Sequence, residues 1–153
     1  MTWMQMTRRL RSLLAVLAAL ALLAGFATGN AALAQPHPGL TTHVLDTVSG
    51  KPAAGVTIDF GVLDGETFHL LKTTVTNADG RNQDPLLTAD TIAVGRYELI
   101  FHVGEYYAAQ GVPVANPAFL DKVPVVFAIA DPKSHYHVPL LVSPWSYTTY
   151  RGS

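Results

Sequence analysis

Two histidines separated by one residue, in His135-Tyr136-His137, open a β-rich run near the C-terminus. Alternation along a strand would place both imidazoles on one face, about 7 Å apart. An i, i+2 pair of this kind can ligate a metal, zinc being the first candidate, or supply an acid or base near neutral pH. No Asp or Glu lies in the strand as a third ligand, and the chain has no cysteine. Acid–base work is therefore the stronger reading, and no metal site is assigned. A further histidine, His43, sits inside Leu40-Thr41-Thr42-His43-Val44-Leu45-Asp46. Arg81 follows Asn77-Ala78-Asp79-Gly80 directly, so a tight turn fixes its position. Its guanidinium could clamp a planar carbonyl or an anionic group. Taken singly, His43 reads as a hydrogen-bonded strand residue and Arg81 as a surface charge after a hairpin. His37, His69 and His102 show no partnering pattern and are assigned to surface or core faces.

The last residues, Tyr150-Arg151-Gly152-Ser153, add a phenol, a guanidinium and a hydroxyl straight after a strand. Chain ends usually fray and carry no chemistry. Polar groups on an end tied to a strand suggest a site instead. Other chemistries lack their residues: there is no glycine-rich phosphate loop, no serine in a nucleophile-elbow setting and no thiol. Catalysis would use water activated by histidine, with arginine and hydroxyl groups stabilising an oxyanion.

The elements that must position these groups are strands. Leu40–Asp46 alternates, with Thr42, Val44 and Asp46 on one face and His43 and Leu45 on the other. Val56–Leu63, Phe68–Thr76 and Arg96–Val103 follow, punctuated by Ser49-Gly50-Lys51-Pro52, Asp64-Gly65 and Asn77–Gly80. Arg81–Ala93 is looser, with one short strand near Leu86. Glu105–Gln110 is the one helical turn, halted by Gly111 and Pro113. Val123–Ala130 is apolar throughout, as expected of a strand covered on both faces. Tyr136–Val142 and Trp145–Arg151 form a final pair through Ser143-Pro144. Seven to eight short strands with one short helix indicate an all-β, antiparallel β-sandwich.

The first 34 residues read differently. Arg8, Arg9 and Arg11 precede an apolar stretch from Leu13 to Leu23, and Ala32-Leu33-Ala34 forms a small-x-small site. That is the pattern of a cleaved secretory signal, with an apolar core shorter than the ~20 residues of a membrane span. General secretion fits the leader better than twin-arginine export. Residues 35–153 would form the mature domain, soluble in the periplasm or outside the cell. Without the leader's three arginines, seven Lys and Arg would face eleven Asp and Glu, a net charge of −4. That balance does not suggest a nucleic-acid partner. With no cysteine to form a disulfide, the core or oligomerisation must supply the stability. Trp145, Tyr147 and Tyr150 concentrate aromatic surface on the last strand, and association through that edge would cover it.

Taken together, Leu40–Asp46, Gly50-Lys51-Pro52-Ala53, Asn77–Arg81, His135-Tyr136-His137-Val138-Pro139-Leu140-Leu141 and Ser143-Pro144 through Ser153 resemble the 5-hydroxyisourate hydrolases, the transthyretin-like enzymes of purine breakdown. The segments span essentially the whole of residues 35–153, in order, and the terminal tetrapeptide is the most specific mark. The resemblance implies a transthyretin (prealbumin)-like sandwich and a homotetramer, a dimer of dimers with active sites at the dimer–dimer interface. It also implies hydrolysis of 5-hydroxyisourate to 2-oxo-4-hydroxy-4-carboxy-5-ureidoimidazoline with no cofactor. The family's functional histidines fall on His43 and His137, its arginine on Arg81 and its terminal motif on Tyr150 to Ser153. His135 matches the pattern without a settled role. In the mechanism this implies, His43 or His137 takes a proton from water and Arg81 stabilises the carbonyl oxygen. Tyr150 and the Ser153 hydroxyl position substrate and water. Two alternatives remain at this level: a transthyretin-like periplasmic carrier of a small ligand without catalysis, and a carbohydrate or adhesion module.

Overall fold

The computed structural model describes residues 37–152. The expected leader, residues 1–34, lies outside the described residues. The strands are β1 (Gly39–Asp46), β2 (Lys51–Pro52), β3 (Thr57–Asp64), β4 (Thr67–Val75), β5 (Gly95–His102), β6 (Lys122–Ile129), β7 (His135–Val142) and β8 (Tyr147–Thr149). The helix α1 spans Val103–Ala109, between β5 and β6. Two four-stranded sheets, ordered β2-β1-β7-β8 and β4-β3-β5-β6, form a sandwich. Among the described residues no helix is long and apolar enough to cross a membrane.

Period-two patterning decides what each sheet buries. In β1, Leu40, Thr42, Val44 and Asp46 turn inward while Thr41, His43 and Leu45 stay half-buried on the outer face. In β5, Tyr97, Leu99 and Phe101 turn inward. The core between the sheets contains Leu40, Val44, Ile58, Phe60, Leu99, Phe101 and Leu140, all 0% exposed. Burying each such side chain contributes roughly 1.5–3 kcal/mol, which sets the register of both sheets.

Three expectations change. The sandwich is not antiparallel throughout, because β1 and β7 pair in parallel, with Thr41 opposite His137 and His43 opposite Pro139. The whole second sheet and α1 intervene between them, which gives the long crossover a parallel pair requires. The strand expected near Leu86 is reduced to isolated bridges, Arg81 to His43 and Leu87 to Leu40. β6 is not covered on both faces. It is an edge strand whose Val123, Val125 and Ile129 are buried while Val126 is 51% exposed.

Helix α1 is fastened to the sheet by a buried polar pair. The phenol oxygen of Tyr107 lies 2.7 Å from Asp46 Oδ1 and 2.8 Å from the Val142 carbonyl, so its single proton is shared between two acceptors. Burial would raise the Asp46 pKa. Donors from the Ser49 and Tyr107 hydroxyls and the Val48 and Ser49 amides outweigh it and hold the carboxyl below its ordinary value. Burial, and after it the same pairing with Asp46, raises the pKa of the Tyr107 phenol above its ordinary value.

Candidate active site

The outer face of the β2-β1-β7-β8 sheet gathers the chemistry that the sequence spreads over the chain. β1 contributes Thr41 and His43, and β7 contributes His135 and His137. The rings of His43 and His137 stack with centroids 6.5 Å apart and planes 30° from parallel. The parallel register between the strands brings them together.

Arg81 reaches the same face through the turn at Asn77–Gly80. The Asn77 side chain accepts hydrogen bonds from the amides of Asp79 (2.9 Å) and Arg81 (3.1 Å). The Val44 amide donates to the Gly80 carbonyl at 2.8 Å, which seats the turn on β1 and bridges Arg81 to His43. One residue further on, buried Asn82 accepts from the Thr42 amide (2.9 Å) and donates to the Asp84 carbonyl. Arg81 is therefore an exposed side chain on a backbone fixed from both sides.

The chain end returns to this face. Pairing between β7 and β8 runs from Val142–Tyr147 to Leu140–Thr149 and lapses beside Pro139, which has no N–H to offer a ladder. It resumes where the Gly152 amide donates to the His137 carbonyl at 2.8 Å. Arg151 turns away, its guanidinium 4.6 Å from the centre of the Tyr136 ring. Tyr150 is exposed and borders an apolar groove with Val126, Phe127 and Tyr136. That groove does not include His43, Arg81 or His137. Ser153 lies outside the described residues.

Both site histidines have pKa values below the ordinary value. For His43 the causes are burial and then the Arg81 guanidinium, opposed by a backbone hydrogen bond and the charge of Asp79. For His137 they are burial, Arg81, His43 and His135, opposed by a backbone hydrogen bond to Thr41. A protonated imidazole is poorly solvated here and repelled by a fixed cation, so both rings are neutral at neutral pH. Neutral imidazoles beside a guanidinium can take a proton from water while the cation stabilises a developing oxyanion.

Of the site residues read from the sequence, His43, Arg81 and His137 are brought together, and Gly152 of the terminal motif joins them. The sequence reading missed Thr41. Its Oγ1 lies 2.9 Å from His137 Nδ1 and 3.3 Å from His135 Nε2. Alternation named only His43 and Leu45 on that face, and nothing local to β1 points to the parallel register that sets Thr41 against His137. His102 also has partners: its Nε2 lies 2.8 Å from Asp59 and its Nδ1 3.2 Å from Glu105, on the other sheet. His37 and His69 are exposed. Among the described residues, no group of three or more His, Cys, Asp or Glu side chains is placed to hold a metal ion.

Residues 40–152 match the family model described as HIUase/Transthyretin family. The chain is 55% identical over 114 residues to 5-hydroxyisourate hydrolase 2 of Rhizobium meliloti (strain 1021), covering 74% of this chain and 95% of that protein. Among solved structures it is similar to (S)-allantoin synthase, with a TM-score of 0.71 and 46% identity over 78% of this chain. It spans only 45% of that longer chain. It is also similar to transthyretin from Sparus aurata, with a TM-score of 0.65 and 29% identity, covering 75% of this chain and 97% of that one. The sandwich has the transthyretin-like fold, and the chain belongs to the HIUase/transthyretin family.

Proposed function

We propose that the protein hydrolyses 5-hydroxyisourate to 2-oxo-4-hydroxy-4-carboxy-5-ureidoimidazoline in urate breakdown. It is an enzyme, a hydrolase. The observation that carries the reading is the stacked pair of neutral imidazoles, His43 and His137, beside the Arg81 guanidinium on one sheet face. The identity to 5-hydroxyisourate hydrolase 2 of Rhizobium meliloti supports it over three-quarters of the chain.

The substrate is a cyclic acyl urea. Water gives a proton to one of the neutral histidines while its oxygen bonds to the ring carbonyl carbon. The charge that develops on the carbonyl oxygen is met by Arg81. In a site closed to bulk water, such a charge-assisted contact contributes a few kcal/mol, about two orders of magnitude in rate. Collapse breaks the ring C–N bond, and the proton returns to the departing nitrogen. Tyr150 and the Ser153 hydroxyl hold the substrate and water in place.

The working assembly in this reading is a homotetramer, a dimer of dimers whose contact closes the site. Two features support it. The catalytic face lies on the outside of the sheet, and β6 and β8 are unpaired edges carrying exposed Val126 and Tyr147. Residues 1–34 act as a cleaved export signal, which puts the mature enzyme in the periplasm or outside the cell. The test is direct: 5-hydroxyisourate is generated in situ with urate oxidase, and its ultraviolet absorbance is followed with and without the protein. Faster decay is expected, and an unchanged decay rate overturns the reading.

A further inference from the structure

Thr41 lies between two imidazoles and has one proton to give. Its Oγ1 is 2.9 Å from Nδ1 of His137 and 3.3 Å from Nε2 of His135. Beyond that, His135 Nδ1 lies 3.3 Å from the backbone carbonyl of His37. A carbonyl can only accept, and this fixes the direction of the whole chain of hydrogen bonds. His135 Nδ1 must carry a proton and donate it to His37. In neutral His135, Nε2 is then bare and accepts the Thr41 hydroxyl proton. Thr41 Oγ1, its proton committed, can only accept from His137. Nδ1 of His137 is therefore the protonated nitrogen, and Nε2 of the neutral ring is bare.

We propose that Thr41 and His135 are positioning residues that hold His137 in the Nδ1–H tautomer, making Nε2 of His137 the atom that takes the proton from water. The proposal rests on the hydrolytic reading above and sharpens it, since it selects between the two histidines. His43 then acts as a neutral neighbour that, with Arg81, keeps charge off the ring until the reaction puts it there.

One further observation agrees: the Thr41 contact is made by Nδ1 of His137, and among the described residues nothing hydrogen-bonds Nε2. In the reaction, Nε2 takes the proton as the water oxygen bonds to the carbonyl carbon. Nδ1–H stays on Thr41 throughout and stabilises the imidazolium. Nε2–H then protonates the departing nitrogen as the C–N bond breaks. Holding the second ring nitrogen is what fixes the first one's role, as in other sites that use histidine.

The test uses full-length protein with 15N-labelled histidine, and side-chain 15N shifts at pH 7.5 report which nitrogen of His137 is protonated. The expected result is a protonated Nδ1 and a bare Nε2. His135→Ala releases the Thr41 proton, which turns to His137 Nδ1 and moves the ring proton to Nε2. Thr41→Val removes the link altogether, and Thr41→Ser rebuilds it. With 5-hydroxyisourate, Thr41→Val and His135→Ala should each lower kcat by on the order of 100-fold with little change in KM. Thr41→Ser should recover most of that loss. A wild-type ring protonated at Nε2 overturns the proposal, as does an unchanged kcat in both Thr41→Val and His135→Ala. The tautomer is read without substrate. A wild-type protein that shows it but does not accelerate decay therefore refutes the substrate reading and leaves the tautomer standing.

Discussion

Gly152 lies directly against the ring of His137: a Cβ added to Gly152 would come within 2.7 Å of His137 Cδ2 and 3.1 Å of its Cβ. The chain end thus forms one wall of the site and holds the ring from the side opposite Thr41. Gly152→Ala should push the imidazole out of line and lower kcat/KM by about 10- to 100-fold, the range found when a group that orients a working histidine is lost. Because Gly152 is held by an isolated bridge and not by a strand ladder, the melting temperature should move by no more than a few degrees. Steady-state kinetics beside a thermal melt separate the two. Unchanged activity would mean that the terminal segment does not position His137.

The pH dependence follows from the lowered pKa values of His43 and His137. The base works only when neutral, and burial with Arg81 moves its protonation below the ordinary histidine value near 6.5. Activity should hold through pH 6.5 and fall at more acid pH. Stability has the same sign. Below pH 6.5 the unfolded chain binds protons at these positions more readily than the folded one, so stability declines as pH falls from the unfolded value through the folded ones. Above pH 6.5 both states are neutral there and the contribution is flat. A kcat/KM profile and denaturant melts from pH 4.5 to 8 check both. A rate flat from pH 5 to 8 would count against histidine as the base.

Removing any of the three groups that meet on the sheet face should lower activity. Alanine at Arg81 or His137 is expected to lower kcat/KM by at least about two orders of magnitude each, the scale of losing an oxyanion partner or a general base. Alanine at His43 should lower it as well, because its ring stacks on that of His137. All three side chains lie at least partly exposed on the outer face, so the fold should survive. Tyr150 is exposed and, in the proposed function, contacts the substrate, so Tyr150→Phe should raise KM more than it lowers kcat. Circular dichroism with kinetics on the purified variants decides this. Near-normal turnover in any alanine variant removes that residue from the mechanism.

Much of this arrangement was legible in the sequence, and what was not has identifiable causes. Alternation in Leu40–Asp46 separated the two faces of the strand, one of which the structure buries. It did not reveal which strands are neighbours. Thr41 escaped notice for that reason: its importance comes from the parallel pairing of β1 with β7, a contact between segments more than 90 residues apart. β6 misled in the opposite direction. Val123–Ala130 is apolar enough for a strand covered twice, yet one face is open, since apolar composition alone does not distinguish a buried strand from an edge whose cover comes from elsewhere. The role of His102 depends on Asp59 from a neighbouring strand and Glu105 one helical turn away, and no local pattern marks the first of these.

The turn that carries Arg81 offers a stringent check, because two glycines share a backbone conformation and differ in surroundings. Gly80 and Gly50 have φ of 70° and 69°, both in the left-handed region that favours glycine. A Cβ on Gly50 would meet nothing within 4 Å, whereas one on Gly80 would lie 2.4 Å from the Val44 carbonyl oxygen and 3.1 Å from the Ala53 amide nitrogen. Those two backbone groups are themselves hydrogen-bonded at 2.9 Å, so neither can retreat without opening β1. Gly50→Ala should therefore cost only the conformational strain, about 1 kcal/mol. Gly80→Ala adds a backbone collision and should cost about 3 kcal/mol or more. The two variants also differ at the site. Gly80→Ala displaces Arg81 from His43, so the protein that remains folded should lose turnover, while Gly50→Ala should retain it. Urea melts and kinetics on both variants test the pair. Equal destabilisation would show that the turn does not bear on β1 as closely as its hydrogen bonds imply.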